Sequence, residues 1–205
     1  MGLILNVGKC EMLSDHPLSV IPSVLGGFTP IQSDSGMLLG SPLSTGRALT
    51  EALDARRHNL GVAEKRLHLL HSHDALLVLK NTVSIPSLLH ILRSAPCCEH
   101  GALAAFDEKL RHCLSSILNV DLAGPQWLQA TLPVRDGGLG IRRAEQLAPS
   151  AFLASAAGSA LLIQAILPVA IASAGDQWVG VSEQAWQRIS GVETSAVSQT
   201  SSQRG

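Results

Sequence analysis

From about residue 44 onward, apolar side chains recur at intervals of three and four, the spacing that lines one face of an α-helix. Leu49, Leu53, Leu60, Leu67 and Leu70, with Ala63 among them, predict a long helix capped by Ser44 or Thr45 and ending near Leu70. Gly61 lies inside it and costs about 1 kcal/mol relative to alanine, so a bend or break is expected there. Asp74 is the expected N-cap of a helix over Ala75–Val83, and Pro86 opens another that runs through Arg93 and stops before Pro96. Leu103, Phe106, Leu110, Leu114 and Ile117 set a further helix from Glu99 or Gly101 to Leu118. Pro125 starts a short one carrying Trp127 and Leu128. Beyond it, Ala144–Leu167 reads as an Ala-rich helix broken near Pro149, and Asp176–Ile189 as an amphipathic helix presenting Trp178, Val181, Ala185, Trp186 and Ile189.

Before residue 44 the period changes. Short apolar runs at Lys9–Leu13, Ser19–Ile21 and Met37–Leu39 are separated by Pro17, Pro22, Gly26-Gly27, Pro30 and Gly36, which predicts two or three short strands. A sheet that small needs a partner surface. From Ser190 the Ser/Gln/Thr-rich chain has nothing to bury and is expected to be disordered. The expected fold is therefore mainly α: a helical bundle over 44–190, a small β region over 1–43 and a tail over 191–205.

One stretch interrupts the helices sharply: Leu132-Pro-Val-Arg-Asp-Gly-Gly-Leu-Gly-Ile-Arg-Arg143. Gly137, Gly138 and Gly140 mark a specified turn across which the flanking helices fold back. Gly138-x-Gly140 ahead of a helix also invites a phosphate-cradle reading, but with proline in the would-be strand a structural turn fits better. Arg142 and Arg143, at the start of the next helix, are placed to touch a nucleic-acid phosphate.

Composition narrows the chemistry. Over 205 residues the formal net charge is -1, so any affinity for nucleic acid must come from a local basic face. Aromatic residues make up 3% and tyrosine is absent, which disfavours a base-stacking platform. Cys10, Cys97, Cys98 and Cys113, with no secretory signal ahead of them, read as reduced intracellular thiols. Cys97-x-x-His100 and His112-Cys113 carry zinc-type donors without the paired spacing of a zinc site, and His68, His71 and His73 lack a placed carboxylate; no metal site is expected. Asp107-Glu108 is the only adjacent acidic pair and reads as a solvated helix face. The uncharged run Gln146–Gly175 is long enough to span a bilayer, but its alanines, serines, Gln164 and prolines fit an Ala-rich buried helix better, so no membrane partner is expected.

Two N-terminal motifs carry a resemblance. Leu5-Asn-Val-Gly-Lys-Cys-Glu-Met resembles the segment that enters a palm strand just after the catalytic Asp-Asp hairpin of non-LTR retrotransposon reverse transcriptases. Gly36-Met-Leu-Leu-Gly-Ser-Pro-Leu, in the matching order, resembles their primer-grip hairpin. The likeness continues through His73-Asp-Ala-Leu-Leu-Val-Leu-Lys, Ile85-Pro-Ser-Leu-Leu-His-Ile-Leu-Arg-Ser-Ala-Pro and the glycine turn, spanning roughly residues 3–167.

The resemblance implies a palm end, a primer grip and thumb-like helices, which in a parent RNA-directed DNA polymerase would position an RNA/DNA primer-template. It implies a role near the incoming triphosphate for Lys9, and primer contact by Gly36, Leu39 and Gly40. Arg47, Arg56, Arg57, Lys65 and Arg66 are the expected backbone contacts, although Glu51, Asp54 and Glu64 are interleaved with them. The family's magnesium-binding aspartates would lie before Met1, together with the rest of the palm and the fingers. This chain is therefore expected to hold no metal and to catalyse nothing alone, in the cytoplasm or nucleus. A relic helical scaffold or protein-interaction module is the alternative.

Overall fold

The computed structural model describes residues 5–14, 21–167 and 176–191. The fold is mainly α with a small N-terminal strand region. The helices are α1 (Arg47–Leu67), α2 (Ser72–Val78), α3 (Ile85–Ser94), α4 (Gly101–Leu118), α5 (Gly124–Thr131), α6 (Ala144–Ile166) and α7 (Asp176–Ser190). A π-helical turn, Leu79–Val83, joins α2 to α3, and Ser84 N donates to Leu79 O across it.

The predicted stripe of α4 is the centre of the core. Leu103, Phe106, Leu110, Leu114 and Ile117 are buried, as is Cys113. They pack against Leu49, Leu53, Leu60 and Leu67 of α1, which follow the same period. Each such side chain contributes roughly 1.5–3 kcal/mol on full burial. Leu88, Ile91 and Leu92 close the cluster from α3, and Ala144 and Ala148 from the first turns of α6.

The helix ends of α1 and α2 depart from the sequence reading. Gly46, not Ser44 or Thr45, is the N-cap of α1. A Cβ there would stand 2.8 Å from that of Asp34, whose carbonyl accepts from Ala48 N at 2.8 Å, so the helix start is fixed by a close backbone approach. The helix ends at Leu67, and Leu70 lies outside the stripe, in solvent. Gly61 does not break α1: the helix runs through it, and a Cβ there would meet Lys109 Cε at 3.3 Å. His71, not Asp74, is the N-cap of α2, leaving Asp74 in the first turn, where its charge suits the dipole. Pro149 does not break α6 either. Only the bond to the Glu145 carbonyl is forgone, close to an end that is held from outside the helix.

Near the N-terminus, β1 (Glu11–Leu13) pairs in parallel with β2 (Thr29–Ile31) in the register Glu11↔Thr29, Met12↔Pro30 and Leu13↔Ile31. β2 contains Pro30, which made it read as a break, although proline is compatible with a short edge. The strand expected at Ser19–Ile21 lies largely outside the described residues, as do the tail beyond Gly191 and the end of the uncharged run. β3 (Met37–Leu38) and β4 (Ser41–Pro42) form an antiparallel hairpin closed by Leu43 N donating to Gly36 O at 2.9 Å.

Candidate nucleic-acid interface

The hairpin is built around Leu39 and Gly40. Their φ angles of 50° and 78° are both left-handed, the requirement of the tight two-residue turn that matches strand twist. Glycine takes such an angle freely; leucine does so at a cost of about 1–2 kcal/mol. Leu39 is 90% exposed, so nothing packs on it in return. At the base of the hairpin, Gly36 is buried because Leu13 lies against it; a Cβ there would come within 3.1 Å of both Leu13 methyls. The hairpin is moored to α3 by two contacts. Ser41 Oγ donates to Ser94 Oγ at 2.6 Å, and His90 Nε2 lies 3.2 Å from the Leu39 carbonyl. A carbonyl only accepts, so that ring nitrogen carries the proton.

Beside this mooring, α3 and α6 enclose an open groove of about 500 Å3, lined by Pro86, Leu89, His90, Arg93, Ser94 and Ser155. Arg93 is exposed and forms no ion pair among the described residues. Neither His90 nor Arg93 stands out in the sequence, since a lone arginine in the last turn of a helix also suits the helix dipole.

Lys9 is exposed at the end of a short 3-10 turn, Val7–Lys9. The α1 cations do not form one face. At about 100° per residue, Arg47 and Lys65 fall on the outer side with Glu51 and Asp54 between them, while Arg56 and Arg57 fall on opposite flanks of the buried stripe. Arg47 lies 3.9 Å from both Asp34 and Glu51, and Arg57 pairs with Asp54 at 3.1 Å. Arg56, Lys65 and Arg66 have no ion pair among the described residues.

The glycine turn brings residues 139–141 back onto the end of α5. Gly137 and Gly140 have φ of 82° and 69°. At Gly138 a Cβ would lie 2.1 Å from Leu132 O and 2.6 Å from Gln129 O, so no other residue fits. Leu139 N and Ile141 N both donate to Ala130 O, and Gly140 N to Leu132 O, which satisfies the last carbonyls of α5. Ile141 enters the core.

Arg142 is exposed and unpaired among the described residues, but Arg143 is committed. Its Nη2 donates to Glu145 Oε2 at 2.8 Å and its Nε stands 3.7 Å from Asp107 Oδ2. Asp107 is not on a solvated face. It is 4% exposed, and its two oxygens accept from Ala144 N at 2.6 Å and Glu145 N at 3.1 Å, so that α4 supplies the cap of α6. Burial pushes its carboxyl up to about 6, against the downward pull of the two amides and Arg143. Glu108 is solvated and pairs with Arg111 at 2.7 Å. The two adjacent acids thus face different surroundings and do not fit a magnesium pair.

The zinc-type donors are also occupied. His100 caps α4: its Nδ1 accepts from Ala102 N at 3.2 Å, and its Nε2 contacts Thr50 Oγ1 at 3.1 Å. Burial raises the Cys97 and Cys113 thiols to about 12. His68 Nε2 meets Ser116 Oγ at 2.9 Å, and Glu64 bridges Lys109 and His112 across the α1–α4 seam. No group of three His, Cys, Asp or Glu among the described residues is placed to hold a metal ion. Two stretches, Ser72–Ser94 and Ala144–Ile166, are long and apolar enough to cross a membrane by length and composition; the first contributes to the core and the second is largely exposed. Compared with known proteins, the chain matches no protein-family model, no curated protein and no solved structure.

Proposed function

We propose that this chain is the post-catalytic part of an RNA-directed DNA polymerase of the retrotransposon type, which positions a primer-template and adds no nucleotides by itself. The observation that supports this reading best is the tip of the Met37–Pro42 hairpin. An exposed leucine is held in a costly left-handed turn, on a mooring that includes His90, at the place where the sequence resembles a primer grip. Arg56, Lys65, Arg66, Arg93 and Arg142 supply uncompensated positive charge for phosphates. In such an enzyme the magnesium-binding acids belong to the palm, and Lys9 would act only beside them.

The test is fluorescence anisotropy with a labelled RNA/DNA hybrid. Weak binding that falls steeply with salt is expected, together with no dNTP incorporation on a primed template. Absence of binding even at low salt would remove the positioning role, and incorporation would overturn the non-catalytic one.

A second reading, a helical interaction module with no nucleic-acid role, is favoured by one feature. Leu161, Leu162 and Ile166 stand largely in solvent near the end of α6, and Ile163 and the C-cap Leu167 are partly exposed beside them. Apolar surface of this kind marks a docking site or an association liability. Concentration-dependent self-association on a sizing column, without hybrid binding, would select this reading.

A further inference from the structure

The groove between α3 and α6 combines features that α1 lacks. Its lining converges on one cation, Arg93, and contains no acidic residue. On α1, by contrast, the cations spread around the helix and are interleaved with Glu51 and Asp54. One wall of the groove carries the hairpin mooring, since His90 touches the Leu39 carbonyl and Ser94 accepts from Ser41. Ser94 Oγ in turn donates to His90 O, which fixes its proton inward. On the facing wall, the Ser155 hydroxyl forms no hydrogen bond among the described residues. Pro86 and Leu89 give the floor an apolar strip.

We propose that this groove is the phosphodiester site of the chain: Arg93 takes one backbone phosphate of a nucleic-acid strand that passes the Leu39–Gly40 tip, and Ser155 donates to the same group. The inference rests on the positioning role proposed above and assigns it a place. A guanidinium presents a planar fork of donors that matches two phosphate oxygens at once, which an ammonium cannot do. The groove is open along one side, which suits a strand running through it better than an enclosed small molecule. The sugar next to the bound phosphate would lie on Pro86 and Leu89.

Arg93 in the last turn of α3 also complements the helix dipole, a role that affects stability alone. The two roles separate in one experiment, an anisotropy titration of a labelled RNA/DNA hybrid over a range of salt with the unaltered chain, Arg93→Gln and Ser155→Asp. With Arg93→Gln, affinity is expected to fall about tenfold, the worth of one charged hydrogen-bonded contact. The slope of log affinity against log salt should become shallower by about 0.7–0.9, one phosphate contact. The thermal midpoint should barely change. Ser155→Asp, which places a carboxylate opposite Arg93, should weaken binding at least as much. If the unaltered chain binds and both variants match it in affinity and slope, the groove assignment is wrong and the positioning role stands. If the unaltered chain does not bind, both fall.

Discussion

The two ends of α6 belong to one continuous helix and are stabilised in different ways. At its start, Ala144, Ala148 and Pro149 are buried, Asp107 accepts the first two amides, and Arg143 and the glycine turn hold the approach. At its end, every residue from Leu161 to Leu167 is exposed, although all but Gln164 are apolar. The first half is helical because tertiary contacts demand it. In the exposed last turns, Ala and Leu are strong helix formers and extend a helix that is already in place. Apolar character alone therefore does not mark the core; a polar residue, Asp107, marks it better here.

The largest effect expected from this contrast is at the pinned end. Asp107→Ala leaves the Ala144 and Glu145 amides without their acceptor and should cost about 2–4 kcal/mol, at about 1–3 kcal/mol for a buried donor left unsatisfied. Leu161→Ala should stay within about 0.5 kcal/mol, as exposed substitutions do. Urea unfolding of the two variants measures the difference, and equal losses would erase the distinction between the two ends.

A smaller effect follows from the raised carboxyl of Asp107. Between its ordinary value of 3.8 and about 6, the folded chain keeps a proton that the unfolded chain has released. Its contribution is therefore fully present below about pH 4 and is lost as pH rises through 6, by on the order of 2–3 kcal/mol. Asp107→Asn should remove this dependence, so the difference in unfolding free energy between the unaltered chain and the variant should change between pH 5 and pH 7.5. A flat difference would show that the amides and Arg143 outweigh burial. The smallest effect on stability belongs to the free end. The double substitution Leu161→Lys with Ile166→Lys should leave the unfolding midpoint within about 0.5 kcal/mol while reducing self-association on a sizing column.

Much of the bundle was legible from periodicity, and the limits have physical causes. The α4 stripe gave both the helix and its buried face, because five large apolar residues repeat without a Gly or Pro between them. Asp107 was misjudged although the same period shows it: it lies four after Leu103 and three before Leu110, on the buried side. That a carboxylate would cap a helix beginning 37 residues later is a tertiary fact that no local pattern holds. Gly46, His71 and His100 were missed as caps because their backbone or ring does the work that Ser, Thr, Asp or Asn usually does. The glycine turn is legible in the sequence because a positive φ at Gly137 and Gly140 and a forbidden Cβ at Gly138 favour glycine at these positions. The groove was not legible, because its two walls come from helices far apart in the chain and its central arginine resembles any helix-ending cation.

The left-handed leucine at the hairpin tip has a further consequence. An unsupported side chain there raises the free energy of the native state and receives no internal contact in exchange, so glycine in its place would make the fold sturdier. Position 39 is thus a point where durability and the presentation of an isobutyl group pull in opposite directions. Whatever meets that tip meets hydrocarbon first, with the leucine's own carbonyl already engaged by an imidazole behind it.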